Sequence, residues 1–145
     1  MKFDHIGVVV SDLAKGRSIL TQMFDIQQWT EAVEDIGIGV YVQFGLGLNG
    51  PCYELIAARD ASSPIRGALK GDKNILNHVA YLVPNLELAA ENLRRIGCFP
   101  ASEAQPAVAY HGKRVQFFIN PLRFMVELIE APDHHHPFRN ATEST

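Results

Sequence analysis

Two pairs of side chains with metal-binding chemistry recur in the sequence at the same spacing. His5 lies 49 residues before Glu54, and His78 lies 49 residues before Glu127. Imidazole nitrogens and carboxylate oxygens are ligands that divalent cations accept, and the charge of two carboxylates is neutralised by one such ion. We therefore predict that His5, Glu54, His78 and Glu127 bind one divalent metal ion per chain, which would be Co, Mn, Ni or Zn.

This spacing belongs to a longer internal repeat. A shift of 73 residues superposes His5 on His78 without any gap. The same shift pairs two runs of three residues, Val42–Phe44 with Val115–Phe117 and Glu54–Ile56 with Glu127–Ile129. Self-similarity at a fixed period is typical of a duplicated structural unit. The sequence therefore predicts two copies of one module, with equivalent residues at equivalent places.

The first half of the chain predicts the order β-α-β-β-β. Phe3 to Val10 alternates between apolar and polar residues as a half-buried strand does, and Asp12 can cap a helix that continues to about Phe24. Residues Glu31 to Gly37 are polar and are interpreted as a loop. The other strands of this half are predicted at Ile26–Thr30, Ile38–Gly45 and Pro51–Ala58.

The second half repeats this order. A strand is predicted at Ile75–Val83, and Asn85 caps a helix whose buried stripe runs from Leu86 to Ile96 and which Gly97 ends. The remaining strands are predicted near Pro100 and at Lys113–Asn120 and Arg123–Glu130. The predicted fold class is α+β, with two tandem βαβββ modules that form a curved mixed sheet around a metal-binding cleft.

The predicted domain organisation is a single domain over residues 1–145. Module 1 covers about 1–58, a connector covers 59–73, and module 2 covers about 74–131. The connector is polar and turn-rich, with one helical turn expected near Ile65 to Leu69. The tail, residues 132–145, is expected to be mobile or packed against a partner.

The alternation of side chains predicts which residues face the cleft. Each helix must cover one face of the sheet, so the other face forms the concave side. On the first strand Val8 then faces the helix and His5 faces the cleft. The same alternation turns Glu54, His78 and Glu127 towards the cleft. A pseudo-twofold axis between the modules would bring all four side chains together.

Composition excludes several other classes of protein. The chain has 13 basic and 16 acidic residues, and this balance gives no excess of positive charge for binding nucleic acid or an anionic membrane. No apolar run approaches the ~18 residues of a membrane span. The start of the sequence lacks the pattern of a signal peptide. Cys52 and Cys98 are interpreted as free thiols in a reducing, cytoplasmic environment.

These motifs resemble those of the vicinal oxygen chelate superfamily, which includes glyoxalase I, extradiol dioxygenases and bleomycin-binding proteins. The stretches that match its two metal-binding pairs are Asp4–Val10 with Glu54–Ile56, and Asn77–Val79 with Val126–Leu128. Within the superfamily the chain most resembles methylmalonyl-CoA epimerases, through Ser63–Leu69, His111–Val115 and the Val126–Leu128 stretch. The resemblance implies a divalent-metal-dependent epimerase or isomerase, acting on a carbon next to a carbonyl. It also implies a small-molecule substrate, such as an acyl-CoA, and a homodimer.

The resemblance further implies how a proton is moved. Epimerisation needs an acid and a base on opposite faces of the reacting carbon. Glu127 would be one of them. Asp35, two residues before Gly37, would be the other, with Glu34 as its substitute. The epimerases carry a glutamate at this place, so Asp35 is a shorter replacement.

Further polar residues are candidates for contacts with the substrate. Gln43 and Gln116 are equivalent strand residues that could orient substrate or water. His111, Lys113 and Arg114 lie before a strand and could pair with a carboxylate or a CoA phosphate. The run His134–His136 has no counterpart in the first half and is excluded from the predicted site.

Three other functions use the same fold. A glyoxalase I-type lyase would employ the same four ligands. An iron dioxygenase would need two histidines and one carboxylate, so Glu54 as a fourth ligand disfavours it. A metal-free small-molecule-binding protein would not require His5, Glu54, His78 and Glu127 together.

Overall fold

Eleven strands form one mixed sheet in the computed structural model, which describes residues 1–65 and 75–140. The first module consists of β1 (Lys2–Val9), α1 (Leu13–Phe24), β2 (Ile26–Trp29), β3 (Val33–Asp35), β4 (Val40–Gly47) and β5 (Cys52–Ala58). The second consists of β6 (Ile75–Leu82), α2 (Leu86–Arg95), β7 (Phe99–Pro100), β8 (Gln105–Pro106), a 3-10 turn (Val108–Tyr110), β9 (Arg114–Ile119) and β10 (Met125–Ile129). A final strand, β11 (Arg139–Asn140), lies in the tail.

The order of the strands confirms the predicted duplication. The sheet runs β11-β2-β4-β5-β1-β6-β10-β9-β7, with β3 paired to β4 and β8 paired to β9. In both modules the first strand is parallel to the last one, as β1 is to β5 and β6 is to β10. The modules join through the antiparallel pair β1 and β6. The four strands that carry the predicted metal ligands are therefore adjacent at the centre of the sheet.

Both helices begin at the predicted caps. The Asp12 carboxylate accepts a hydrogen bond from the Lys15 amide at 2.7 Å, and the Asn85 side chain accepts one from the Leu88 amide at 2.9 Å. Gly97 follows α2 with a φ of 94°, the left-handed conformation that favours glycine. The predicted burial of Ile96 is wrong, because α2 ends at Arg95 and the Ile96 side chain is 68% exposed.

The predicted alternation on the strands is confirmed by the packing. Each helix packs on one face of its own module. The cluster under α1 includes Val10, Leu20, Trp29 and Leu55, and the cluster under α2 includes Leu86, Leu93, Phe118 and Leu128. A third apolar cluster fills the concave face and includes Val9, Val42, Phe44 and Tyr110. The concave face is therefore shared by both modules.

Two segments differ from the predictions. The stretch interpreted as a polar loop contains β3, which pairs with β4. Within the tail, β11 pairs antiparallel with β2 of the same chain. The helical turn expected near Ile65 to Leu69 lies outside the described residues except for Ile65. Within the described ranges, no helix has the length and apolar character that crossing a membrane requires.

The packing under α2 makes a specific stability prediction. Phe118 is fully buried there, whereas Phe99, on the edge strand β7, is 71% exposed. We expect Phe118→Ala to lower the free energy of unfolding by about 3–5 kcal/mol, because it leaves a cavity in the cluster. The matched change Phe99→Ala should alter it by only about 0.5 kcal/mol. Urea denaturation measures both, and equal effects would contradict the assigned packing.

Candidate metal centre

The four predicted ligands converge at the junction of the two modules. His5 Nε2 lies 3.0 Å from His78 Nε2, 3.0 Å from Glu54 Oε2 and 3.3 Å from Glu127 Oε2. His78 Nε2 lies 3.3 Å from Glu54 Oε2 and 3.1 Å from Glu127 Oε2. All four side chains are buried. Two nitrogens and two oxygens thus face one another across a space of atomic size.

Small residues opposite each histidine make this approach possible. Gly7 of β1 pairs with His78 of β6, and a Cβ added at Gly7 would overlap the His78 ring. On the other side, His5 pairs with Ala80, which occupies the position equivalent to Gly7. The repeat does not reveal this requirement, although a glycine within an alternating strand is a signal of close approach.

Each imidazole is oriented by the residue that precedes it. His5 Nδ1 lies 2.7 Å from Asp4 Oδ2, and His78 Nδ1 lies 2.9 Å from Asn77 Oδ1. An Nδ1–H that donates to these oxygens leaves the lone pair of Nε2 directed at the centre. Phe44 packs against the His5 ring, and the equivalent Phe117 packs against the His78 ring. Both pairs are arranged edge to face.

The electrostatics of the group favour positive charge at its centre. Burial alone would raise the pKa of Glu54, but the charge of His5 and hydrogen bonds with both histidines lower it to about 2. Burial opposes protonation of His5, yet Glu54, Asp4 and Glu127 raise its pKa well above the ordinary value. The pKa of His78 is also raised despite burial, through Glu127 and Glu54. The carboxylates therefore attract whatever cation the site can hold.

The residues fit a divalent metal ion. Among the described residues, Glu127 Oε2 is one of two buried side-chain polar atoms that lack a hydrogen-bond partner. Ligands about 2.1 Å from an ion and at right angles to each other stand about 3.0 Å apart. The separations of 3.0–3.3 Å between these ligand atoms match that value. A set of imidazole and carboxylate donors suits zinc and the transition metals named above.

A cavity of about 290 Å³ adjoins the centre. Glu54, Glu127 and Asn77 line it, together with residues of both modules. Most of the lining is apolar and includes Val40, Val42, Ile56, Phe117 and Met125. The candidate metal centre therefore lies beside a space that a small organic group can enter.

Asp35 lines this cavity, but Glu34 does not. Asp35 Oδ1 accepts a hydrogen bond from the Ile38 amide at 3.0 Å, and Oδ2 accepts one from the Val108 amide at 2.9 Å. Glu34 is the preceding residue of β3 and faces outwards, where it pairs with Arg59 at 2.6 Å. The alternation of β3 thus brings Asp35 to the cleft. It turns Glu34, the predicted substitute for Asp35 in moving the proton, away from the cleft.

The two glutamines do not line the cleft. Gln43 alternates with Val42 and Phe44, which belong to the concave cluster, so it lies on the opposite face of β4. Its amide donates to the Thr30 carbonyl at 2.7 Å. Gln116 is placed in the same way on β9 and donates to the Ser102 carbonyl at 3.1 Å. Their assignment to substrate binding is therefore corrected by the parity of their strands.

The basic residues at the start of β9 and in the turn before it also lie away from the cavity. His111 and Lys113 are exposed in the turn that follows the 3-10 segment. Arg114 pairs with Glu87 at 2.6 Å and with Glu130 at 2.9 Å, so it binds carboxylates of its own chain. The cavity lining, as far as the described residues extend, does not include these three side chains.

Cys52 and His136 complete the surroundings of the centre. Cys52 is a free, buried residue of the concave cluster, and burial raises its pKa to about 12, so its thiol stays protonated. The repeat predicts no role for His136, but its Nε2 lies 2.9 Å from Asp4 Oδ2. A comparison of the two halves could not find it, because the tail has no counterpart in the repeat.

Comparison with known proteins identifies the family. Residues 4–117 match the family model described as the glyoxalase/bleomycin resistance protein/dioxygenase superfamily. The chain belongs to this superfamily. That assignment confirms the resemblance found in the sequence. No curated protein sequence matches the chain at a significant level.

Solved structures of low sequence identity share the fold of this superfamily member. Methylmalonyl-CoA epimerase from Mycobacterium tuberculosis is 21% identical, with a TM-score of 0.72 over 88% of this chain and 86% of that one. A hypothetical protein from Bacillus halodurans C-125 is 19% identical, with a TM-score of 0.75 over 93% and 97%. A methylmalonyl-CoA epimerase in complex with methylmalonyl-CoA is 17% identical, with a TM-score of 0.71 over 94% and 98%.

The close approach of Gly7 to His78 predicts how the centre can be disrupted. We expect the protein to hold about one divalent ion per chain, measured by elemental analysis. Gly7→Ala should weaken binding at least about tenfold, because the new methyl group displaces the His78 ring. Gly50→Ala is the control, since a Cβ there meets no atom closer than 3.8 Å. Equal metal affinity in both variants would contradict the assigned ligand set.

Proposed function

We propose that this protein is a divalent-metal-dependent epimerase or isomerase that acts on a carbon next to a carbonyl. The observation that carries the proposal is the convergence of His5, Glu54, His78 and Glu127 beside a mainly apolar cavity that Asp35 also lines. A metal centre, a second carboxylate and a space for a small organic group are thus joined in one cleft.

The four ligands would hold the ion, and the cavity would bring the substrate to it. A bound divalent ion supplies Lewis acidity, which stabilises the negative charge that develops on a carbonyl when the adjacent carbon loses a proton. The surrounding Phe44 and Phe117 keep bulk water from the imidazoles, so charges act through a medium of low polarity.

Asp35 is our candidate for one of the two groups that move the proton. Each of its carboxylate oxygens accepts one backbone hydrogen bond, which fixes the group and leaves each oxygen a further lone pair. Glu127 is the candidate for the other group, since its carboxylate has a second oxygen besides the Oε2 that faces the two histidines. The two carboxylates come from different modules and line the same cavity.

The size and lining of the cavity support a short acyl group as the reacting part of the substrate. Its volume of about 290 Å³ is at the lower end of ligand sites. We therefore propose an acyl thioester whose acyl group enters the cavity while the CoA portion lies outside. A related structure that shares this fold was solved with methylmalonyl-CoA bound.

The decisive test is exchange of the substrate proton with heavy water. With a racemic 2-methylmalonyl thioester, we expect deuterium to enter the carbon between the two carbonyls. Asp35→Asn should reduce this exchange about 100-fold or more, the usual effect of losing a general base. Glu34→Gln is the matched control and should exchange at the wild-type rate, because Glu34 lies outside the cavity. Exchange is measured per folded, metal-loaded chain by NMR.

Two results would contradict the proposal. Equal exchange by the Asp35 and Glu34 variants would remove Asp35 from the reaction. A metal-loaded protein that exchanges no acyl thioester would not be an epimerase of this kind. Turnover of a hemithioacetal would then identify the glyoxalase I-type lyase that shares the four ligands.

A further inference from the structure

We infer that His136, from the tail, is a positioning residue of the metal centre that acts on His5 through the Asp4 carboxylate. The inference rests on the proposed function, because it assigns the tail a role in holding the ligands of that centre. His136 lies in the tail, which is outside the two duplicated modules.

The Asp4 carboxylate is a buried junction of three hydrogen bonds. Its Oδ2 lies 2.7 Å from His5 Nδ1, 2.6 Å from the Tyr110 hydroxyl and 2.9 Å from His136 Nε2. These donors come from β1, from the second module and from the tail. The Asp4 side chain is almost inaccessible to solvent. If one hydrogen-bond donor is removed, water cannot take its place unless the surrounding residues rearrange.

One arrangement of protons satisfies the whole chain of contacts. If His136 donates its Nε2–H to Asp4, its Nδ1 is an acceptor. His134 Nε2 lies 3.3 Å from that Nδ1 and can donate to it. His5 then donates Nδ1–H to Asp4 and keeps the lone pair on Nε2 for the metal. The tail therefore supports the tautomer of His5 that the centre requires.

The difference between the two modules explains why only one histidine needs this support. The residue equivalent to Asp4 is Asn77, which is neutral and contacts His78 Nδ1. A neutral amide can be buried with a single donor at modest cost, whereas a buried carboxylate needs several donors. His136 supplies a donor that the duplicated modules do not contain.

Two further contacts hold His136 in place. Its ring stacks on Phe44 with centroids 4.0 Å apart, and Phe44 in turn stands against the His5 ring. Beyond it, β11 pairs with β2, and Arg139 forms an ion pair with Glu31 at 2.8 Å. The tail is thus held on the first module, and its His136 side chain contacts the Asp4 carboxylate.

The test separates the hydrogen bond of His136 from its packing. His136→Phe keeps an aromatic ring on Phe44 but removes the donor, whereas His136→Gln keeps a donor and removes the ring. His136→Ala removes both. His135→Ala is the control, because His135 is exposed and belongs to the same histidine run. Circular dichroism and thermal unfolding establish that each variant is folded, which we expect of His136→Phe even if His136→Ala is not.

The measured quantities are the affinity for Co²⁺ and the visible absorption spectrum of the cobalt-loaded protein, with Co²⁺ alone as the probe. We expect His136→Ala and His136→Phe to bind Co²⁺ about 10-fold or more weakly, with an altered spectrum, as other outer partners of metal ligands do. His136→Gln should recover much of the affinity. His135→Ala should match the wild type in affinity, spectrum and stoichiometry.

Each other outcome overturns a stated part of the argument. If wild type and all variants bind one Co²⁺ alike, His136 is not a positioning residue, and the proposed function stands. If His136→Phe matches the wild type while His136→Gln does not, the ring only packs, and the inference fails. If the wild type binds no Co²⁺, the metal-dependent function and this inference fail together.

Discussion

The structure depends on the burial of two carboxylates and two imidazoles at the place where its modules meet. Removing carboxylates from water is costly unless a cation or hydrogen bonds compensate them. Here the separations between ligand atoms, the raised pKa values of the histidines and the unpartnered Glu127 oxygen all favour a cation at one point. The apolar clusters around the four side chains supply the stability that lets this polar centre stay buried.

Duplication gives the candidate centre its symmetry, and Asp35 is a residue that departs from this symmetry. The parallel pairs β1–β5 and β6–β10 place a histidine beside a glutamate in each module. Asp35, by contrast, has Val108 as its equivalent, and its carboxylate accepts a hydrogen bond from that residue's amide. Among the described residues, only the first module therefore brings an additional carboxylate to the cavity.

The sequence predicts features that follow from strand alternation and from the internal repeat. It does not predict features that depend on contacts with residues distant in the sequence. The convergence of the four candidate ligands and both helix caps follow from alternation, spacing and local hydrogen bonding. Their equivalence in the repeat makes Gln43 and Gln116 candidates for substrate contacts, but Val42 and Phe44 occupy the cleft face of β4. The strands β3 and β11 are too short to form without β4 and β2 beside them. His136 has no equivalent in the repeat, so only the folded chain places it at Asp4.

The surroundings of the two histidines divide the centre into an accessible side and a covered side. Asn77, the partner of His78, lines the cavity together with Glu54 and Glu127. Asp4, the partner of His5, is covered by Tyr110 and His136. A ligand that enters the cavity therefore meets the glutamates and the neutral amide, while the buried negative charge of Asp4 stays behind the His5 ring. Under the proposed function, this separation keeps the Asp4 carboxylate, which orients one proposed metal ligand, away from an anionic substrate in the cavity.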